Sequence, residues 1–403
     1  MYMSEDRINY LDHAATTPVR EDVLEKMLPY FTQKFGNPSS LYALAGEARY
    51  GVDEAREQVA GVLGARTGEI VFTGGGSESD NTAIKGIAAA RATSSAGLRR
   101  GGHIITTAIE HHAVIHSVEQ LEKMGYEATV VGVDSKGRVD PGEFASAVRP
   151  DTFLVSVMLV NNEVGTIQDV PAISQQVREA ADRVGTNVLV HTDAVQAAGK
   201  LSLNVDDLGI DLMSLSGHKI YGPKGVGVLY VRRGTELEPL IAGGGQENQM
   251  RSGTENVAAI VGMGEALVLS EAERTSSRPR LQALSERLIE GIAERVPTST
   301  FNGSHTDRVA EIANFSFAGV EGEPVLLGLD FKAIAASSGS ACSSASLEPS
   351  HVLLAMGISP EMAVGSLRIS MGRETTETDI DDVLQVLPEI LQQLESFPAG
   401  AGN

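Results

Sequence analysis

Short apolar segments alternate with amphipathic segments through the middle of the chain. Segments rich in apolar and β-branched residues predict strands, whereas segments whose apolar residues recur every three or four positions predict helices. Because strands and helices alternate, we expect βα units and a mostly parallel sheet. The predicted strands are residues 69–73, 103–107, 129–133, 153–160, 188–191, 212–215 and 226–231. The helices predicted between them are residues 77–91, 113–124 and 171–184.

The pattern changes after about residue 254. Longer helical segments come first, shorter strand-like segments follow, and a last helix ends the pattern, which predicts a second, smaller α+β domain. Residues 93–102 and 274–280 are predicted as surface loops. The helices predicted here are residues 255–272, 280–295 and 378–394, and the strands are residues 313–317, 333–336 and 367–370.

Composition excludes several classes of protein. With 403 residues the chain is long enough for two or three structural units, and 42% hydrophobic residues are enough for a substantial core. A net charge of −21 argues against nucleic-acid binding and against adhesion to anionic lipid. No segment approaches the roughly 20 uninterrupted apolar residues of a membrane span. The N-terminus lacks the basic and then apolar pattern of a secretory signal, so we expect a cytoplasmic protein.

The first candidate for chemistry is a glycine turn between a predicted strand and a predicted helix. It consists of Gly74, Gly75 and Gly76 and is followed by Ser77. Glycines let backbone N–H groups face a ligand, and a helix N-terminus favours negative charge, so the turn could hold a phosphate. Its glycine spacing differs from the dinucleotide and nucleoside-triphosphate motifs. An ordinary turn in which Ser77 caps the helix is the alternative, and the pattern does not decide between them.

Two charged residues follow the ends of later strands. Asp193 could cap the next helix, or it could pair with the protonated ring nitrogen of a pyridine cofactor. Lys219 lies among serine, histidine and glycine residues, between a strand and a Gly-Pro turn. A lysine that forms a Schiff base needs a restricted position of this kind, whereas a plain surface lysine is the alternative.

Cys342 is the one cysteine of the chain, so an intrachain disulfide is excluded. It lies among the small residues of the segment 337–346, where a buried structural cysteine would have larger apolar neighbours. This setting favours a reactive thiol.

Arg368 lies inside an apolar strand pattern and therefore needs a carboxylate partner, either from the protein or from a substrate. The glycine-rich segment 243–256 suits an anion or connects two domains.

Eight motifs occur along the chain in the order seen in cysteine desulfurases of the NifS/IscS type. They are residues 11–18, 36–40, 110–111, 161–165, 191–196, 216–219, 251–256 and 337–342. Over residues 8–395 the chain resembles these enzymes, which belong to the class V aminotransferase family and to the fold-type I enzymes that use pyridoxal 5′-phosphate (PLP). The resemblance implies an α/β large domain, residues 16–263, with a mostly parallel seven-stranded sheet between helices. Residues 1–15 and 264–403 would form a small α+β domain that carries the cysteine loop.

The resemblance also implies a role for each matching residue. Lys219 is expected to hold PLP, Cys342 to receive sulfur, and His111 to stack on the pyridine ring and to act in catalysis. Asn162 and Arg368 are expected to bind the substrate carboxylate. No metal ion is expected. The other residues expected to bind the cofactor are Gly76, Ser77, Asp193, Gln196, Ser216, His218 and, from the second subunit of a dimer, Thr254.

These roles imply a homodimeric enzyme that converts L-cysteine to L-alanine and leaves a persulfide on Cys342. A sulfur-acceptor protein or an iron–sulfur scaffold protein would then take the sulfur. Selenocysteine lysis or transamination is one alternative, because either would use Lys219 and Asp193 without a persulfide. A non-catalytic sulfur-relay or scaffold protein is the alternative from another class. Deprotonation of Cys342 is open between His111 and the substrate amine.

Overall fold

A computed structural model describes residues 7–93, 101–339 and 348–396. Its central sheet has seven strands in the order β2-β8-β7-β6-β5-β3-β4. The pairs from β7 through β6, β5 and β3 to β4 are parallel, and β8 runs antiparallel to both of its neighbours. The strands are β1 Asn9–Tyr10, β2 Ile70–Thr73, β3 His103–Thr107, β4 Glu127–Val131, β5 Thr152–Ser156, β6 Leu189–Asp193, β7 Leu212–Ser216, β8 Gly227–Val231, β9 Ser299–Asn302, β10 Ile312–Phe317, β11 Ile334–Ala335 and β12 Ser366–Ser370.

Helices cover the central sheet, and the expected α/β fold is confirmed. Continuous burial along β3, β5, β7 and β8 explains why these segments are apolar runs without alternation. The helices are α1 Glu21–Met27, α2 Pro29–Thr32, α3 Ala43–Leu63, α4 Gly76–Thr93, α5 His112–Lys123, α6 Pro141–Ala147, α7 Val170–Val184, α8 Val205–Leu208, α9 Val257–Arg295, α10 Gly322–Asp330, α11 His351–Ala355, α12 Pro360–Val364 and α13 Glu377–Glu395. Within the described ranges, no helix combines the length and the hydropathy that a membrane span requires.

The second half of the chain forms a smaller antiparallel sheet in the order β12-β10-β9. This sheet, α10, α13 and the C-terminal part of α9 bury a hydrophobic core of their own, which also contains Leu11. The N-terminal part of α9 packs into the core of the large sheet instead. One helix therefore joins the two cores. The predicted domain boundary, between residues 263 and 264, lies inside α9 and stays a prediction.

Two predictions about elements were wrong. Residues 274–280 belong to α9 rather than to a loop, although Pro279 lies within the helix. The helix continues because apolar side chains on both sides of Pro279 are buried, and their burial outweighs the lost backbone hydrogen bond. The strand predicted at 153–160 ends at Ser156, and residues 157–160 are apolar because they are buried beyond the sheet. Most of the loop predicted at 93–102 lies outside the described residues.

The fold brings three strand ends to one edge of the sheet. Because β2, β6 and β7 run in the same direction, Thr73, Asp193 and Ser216 end their strands at this edge. Gly227, the first residue of β8, pairs with both Thr73 and Ser216. A Cβ atom at Gly227 would lie 2.6 Å from the backbone C of Gly75 and 2.7 Å from the carbonyl O of Leu215. Only glycine lets the turn after β2 approach the sheet this closely.

We predict that Gly227→Ala lowers the free energy of unfolding by about 1–3 kcal/mol, because the added methyl group meets backbone atoms that cannot move aside. The measurement is urea denaturation followed by circular dichroism. Gly61→Ala is the matched control, since Gly61 lies in α3 with nothing within 4 Å of an added Cβ atom. The control should leave stability unchanged or raise it by up to about 1 kcal/mol. Equal stability of wild type and Gly227→Ala would contradict the close approach.

Candidate active site

A cavity of about 770 Å³ opens at the edge of the sheet where β6 and β7 end. It contains ten of the twelve residues that the sequence singled out. The ten lining residues are Gly76, Ser77, His111, Asn162, Asp193, Gln196, Ser216, His218, Lys219 and Arg368. Thr254 lies in a different cleft, with Thr73 and Gly225. Cys342 lies outside the described residues.

Lys219 ends a single helical turn that directly follows β7. Its Nζ atom donates to the carbonyl oxygens of Ala14 and Ala15, at 2.6 and 2.7 Å. The side-chain amide of Gln196 donates to the Ala14 carbonyl as well, at 2.9 Å. The N-terminal segment therefore fixes the lysine amine at the cavity wall, a constraint that the sequence patterns did not reveal.

Asp193 is the last residue of β6 and is buried. Burial raises the pKa of its carboxyl group, whereas His111, the backbone N–H of Val195 and Lys219 favour the ionised form. The Val195 N–H donates to Oδ1 of Asp193 at 2.9 Å. The carboxyl group thus faces the same cavity as the lysine amine, with neighbours that stabilise its negative charge.

His111 precedes the first residue of α5 and caps this helix. Its Nδ1 atom accepts a hydrogen bond from the backbone N–H of Ala113 at 3.1 Å. Because Nδ1 is an acceptor, the proton of the neutral imidazole is on Nε2. The helix N-terminus also disfavours a positive charge on this ring. His111 is therefore arranged to donate a hydrogen bond through Nε2.

A cradle for an anion lies at the N-terminus of α4, which begins at Gly76. Its backbone N–H groups, the Ser77 side chain and Ser216 belong to the same cavity. A Cβ atom at Gly76 would lie 3.0 Å from Cγ2 of Val195 and 3.4 Å from Cβ of Ser216, so it would narrow the cradle. His218 adjoins it, with Nδ1 3.1 Å from the Thr16 hydroxyl oxygen. Burial lowers the pKa of His218 to about 4, so this ring offers hydrogen bonds without charge.

Arg368 lies in β12 with a side chain that is 1% exposed. Its Nη2 atom donates to Oδ1 of Asp12 and its Nη1 atom to the backbone carbonyl of Asn162, both at 2.9 Å. Nε of Arg368 has no hydrogen-bond partner within the part of the chain that the structure describes. Asp12 is therefore the protein carboxylate that pairs with Arg368, a partner that the sequence alone did not identify. The guanidinium group still faces the cavity and has donor capacity for a second carboxylate.

Two buried acids near the cavity were missed from the sequence. Asp80 lies one helical turn after Gly76, which is the spacing that directs both residues to one side of α4. Glu110 accepts hydrogen bonds from the Thr107 hydroxyl at 2.7 Å and the Met158 N–H at 2.9 Å. Burial raises the pKa of Glu110 to about 8, so this side chain is largely protonated at neutral pH.

Asp80, His111 and Asp193 each offer a ligand atom, and these atoms lie within 4.8 Å of one another. Such a set could hold a metal ion. The same cavity also contains a half-buried lysine amine and a glycine turn at a helix N-terminus, which suit an aldehyde and a phosphate group. The whole donor set therefore fits a phosphorylated pyridine aldehyde better than a bare cation.

Comparison with known proteins agrees with this geometry. The Aminotransferase class-V family matches residues 9–383. The cysteine desulfurase IscS of Methanosarcina thermophila is 49% identical over 394 residues, which are 98% of this chain and 94% of that relative. A solved structure named NifS-like protein aligns with a TM-score of 0.89 at 36% identity, covering 96% of this chain and 100% of its own. Another, named SspA in complex with cysteine, has a TM-score of 0.77 at 39% identity and covers 90% and 98%.

These matches confirm the resemblance seen in the sequence, because they extend over nearly the whole chain. The chain belongs to the class V aminotransferase family and, within it, to the cysteine desulfurases.

Proposed function

We propose that this enzyme holds PLP on Lys219 and moves the sulfur of L-cysteine to Cys342, releasing L-alanine. The observation that carries the proposal is one cavity that contains the Lys219 amine, the buried Asp193 carboxyl group and a glycine cradle at a helix N-terminus. Each feature matches one group of the cofactor: its aldehyde, its ring nitrogen and its phosphate. When bound, PLP supplies an electron sink for the carbon atoms of the amino acid.

The surrounding residues would hold the cofactor in a fixed orientation. Asp193 would pair with the protonated ring nitrogen, His111 would lie against the ring face, and Gln196 would lie near the phenolic oxygen. Because Nδ1 of His111 caps α5, its Nε2–H is the group that can donate a proton or a hydrogen bond to the reacting molecule. The phosphate would lie among Gly76, Ser77, Ser216 and His218.

The substrate is an amino acid, and Arg368 is the group best suited to its carboxylate. A buried guanidinium group binds a carboxylate strongly because both charges are largely removed from water. Asp12 and the Asn162 carbonyl hold the guanidinium plane in position. The Asn162 side chain would then be the second contact to the substrate carboxylate. A structural relative that binds cysteine supports this choice of substrate.

The sulfur step needs no external oxidant. The Cys342 thiolate attacks the substrate sulfur, a sulfur–sulfur bond forms, and the bond between the substrate sulfur and its Cβ atom breaks. The electron pair of the broken bond goes to the carbon, which takes up a proton and leaves as alanine. A sulfur-acceptor protein, an iron–sulfur scaffold among them, would then take the terminal sulfur of the Cys342 persulfide.

We also propose that the enzyme is a homodimer. Leu28, Phe31, Phe35, Leu41 and Tyr50 have exposed fractions of 53%, 59%, 65%, 99% and 65%. Exposed apolar side chains gathered in one stretch of sequence are typical of an interface between subunits. Thr254 lies outside the cavity of its own chain, and we propose that it contacts the phosphate cradle of the other subunit.

The first prediction concerns Lys219. Lys219→Ala should lose the visible absorbance of bound PLP, and borohydride reduction should leave no cofactor attached to the protein, because Lys219 is the one lysine among the described residues that line the cavity. The measurement is absorbance together with mass spectrometry of the reduced protein. Lys224→Ala is the control, since Lys224 is exposed in the next turn of the chain and should retain the cofactor. Cofactor that remains covalently attached in Lys219→Ala would contradict the assignment.

The second prediction concerns Cys342. Cys342→Ser should keep the spectrum of bound PLP and stop the formation of alanine from L-cysteine, because the sulfur acceptor of the first half-reaction is gone. Alanine and sulfide are measured with a thiol reductant present, and wild type should give equal amounts. Ser346→Ala, in the same segment of small residues, should leave turnover unchanged. Alanine formation at the wild-type rate in Cys342→Ser would remove Cys342 from the reaction.

The third prediction concerns Arg368. Arg368→Lys should raise the KM for L-cysteine by about 10-fold to 100-fold, because the loss of a charge-assisted hydrogen bond costs about 1.5–3 kcal/mol. Steady-state kinetics at fixed pH gives KM and kcat separately. Arg373→Lys is the control, since its side chain is 42% exposed and pairs with Glu273. An unchanged KM in Arg368→Lys would move the carboxylate contact to another residue.

A further inference from the structure

Asp80 and Asp193 form a pair of buried acids in the wall of the cavity. Asp80 lies in α4 and Asp193 ends β6, and their carboxyl groups approach each other to within 4.8 Å. The two residues are 1% and 5% exposed. Two negative charges this close together, on side chains that are almost wholly buried, repel each other strongly. The pair is therefore expected to carry one negative charge and one proton.

The surroundings of the two carboxyl groups are unequal. Asp193 accepts the Val195 N–H at 2.9 Å and has His111 and Lys219 nearby, which all favour its ionised form. For Asp80, the Ser214 hydroxyl is the group that favours ionisation. Oδ1 of Asp80 has no hydrogen-bond partner among the residues that the structure describes. An ionised carboxylate needs such partners far more than a neutral acid does.

The histidine nearest to Asp80 does not supply a positive charge. Nε2 of His191 lies 3.7 Å from Oδ1 of Asp80. Both ring nitrogens of His191 are engaged by hydroxyl groups, Nδ1 by Ser156 at 2.8 Å and Nε2 by Ser214 at 3.0 Å. Burial lowers the pKa of His191 to about 3, so the ring is neutral.

Glu110 is a third acid that interacts with both members of the pair, and burial raises the pKa of this group to about 8. The positive or proton-donating groups, Lys219 and His111, act on Asp193. Burial raises the pKa of Asp80 well above its ordinary value, and the charge on Asp193 raises it further. Burial, Asp193 and Glu110 favour the protonated form of Asp80, and together they outweigh the Ser214 hydroxyl, which favours the ionised form.

We infer that Asp80 is a positioning residue that stays protonated at neutral pH, so that Asp193 is the one anion of the pair. This inference rests on the proposed function, in which Asp193 holds the protonated ring nitrogen of the cofactor. A single anion there balances a single ring cation. A second anion from Asp80 would be unbalanced, and it would change how tightly the ring nitrogen keeps its proton.

The first test detects the proton directly. In the purified holoenzyme at pH 7, infrared difference spectroscopy should show the carbonyl stretch of protonated carboxyl groups, and Asp80→Asn should remove one such band. Glu110→Gln should remove a different band, which separates the two protonated acids. If the spectrum of Asp80→Asn keeps every protonated-carboxyl band of wild type, Asp80 is ionised and the inference fails.

The second test uses the bound cofactor as the reporter. Asp80→Asn replaces a neutral acid by a neutral amide of the same shape, so the pH midpoint of the cofactor absorbance should shift by less than about half a unit. Asp193→Asn, the contrasting variant, should shift the midpoint by more than about one unit or lose the cofactor. A shift of more than about one unit in Asp80→Asn would show that a charge was removed and would overturn the inference.

The two proposals fail in different ways. If wild type binds no PLP on Lys219, the proposed function is wrong, and the infrared band of the full chain still reports whether Asp80 is protonated. If wild type binds PLP normally and lacks the Asp80 band, the proposed function holds and only this inference fails. Should Asp80→Asn fold poorly, Glu110→Gln decides instead: a protonated-carboxyl band that remains in this variant at pH 7 supports the inference, and the loss of every such band overturns it.

Discussion

The site depends on the path of residues 9–20 across the edge of the central sheet. The carbonyl oxygens of Ala14 and Ala15 hold the amine of Lys219, and Thr17 bonds to the His218 carbonyl at 2.8 Å. The same segment enters the smaller unit, because β1 pairs with β11 and Asp12 pairs with Arg368. Residues 9–20 thus contact Lys219 in one wall of the cavity and Arg368 in the other. These contacts hold the two side chains in a fixed position relative to each other.

The electrostatics of the cavity follow from burial. Three acids, Asp80, Glu110 and Asp193, are buried, with exposed fractions of 1%, 0% and 5%. Burial raises the pKa of each of them, so the number of charges is smaller than the number of carboxyl groups. The one that keeps a negative charge is the one that has N–H, lysine and histidine neighbours. Such a site would present a single negative charge, that of Asp193, to the ring nitrogen of a pyridine cofactor.

Backbone shape matters as much as charge. The turn after β2 lies against the start of β8 because Gly227 has no side chain. This contact fixes the position of the first residue of α4 relative to the sheet. The cradle that we propose for a phosphate therefore depends on sheet packing as well as on the glycine turn. The neutral ring of His218 adjoins this cradle and offers hydrogen bonds without charge. A neutral neighbour is sufficient because the dipole of the helix already stabilises the charge of an anion there.

Local patterns determined much of this protein. Strand and helix periodicity predicted a mostly parallel sheet, and the family resemblance implied its seven strands. The residues placed at strand ends, Asp193 and Lys219 among them, were visible because parallel strands end at one edge. Arg368 was visible because a charge inside an apolar strand requires a partner. Eight motifs in the order found in cysteine desulfurases predicted the family, because their order is specific although each motif alone is ambiguous.

Contacts between distant parts of the chain decided the rest. The bonds from Lys219 to Ala14 and from Arg368 to Asp12 join residues 205 and 356 positions apart, which no local period encodes. Asp80 carried no signal in the sequence, and only the folded position of β6 places it against Asp193. Residues 274–280 resembled a loop because local propensity gives weight to proline, whereas two hydrophobic cores, one at each end of α9, hold them helical. Propensity is a property of a few neighbouring residues, but burial and charge depend on which segments the folded chain brings together.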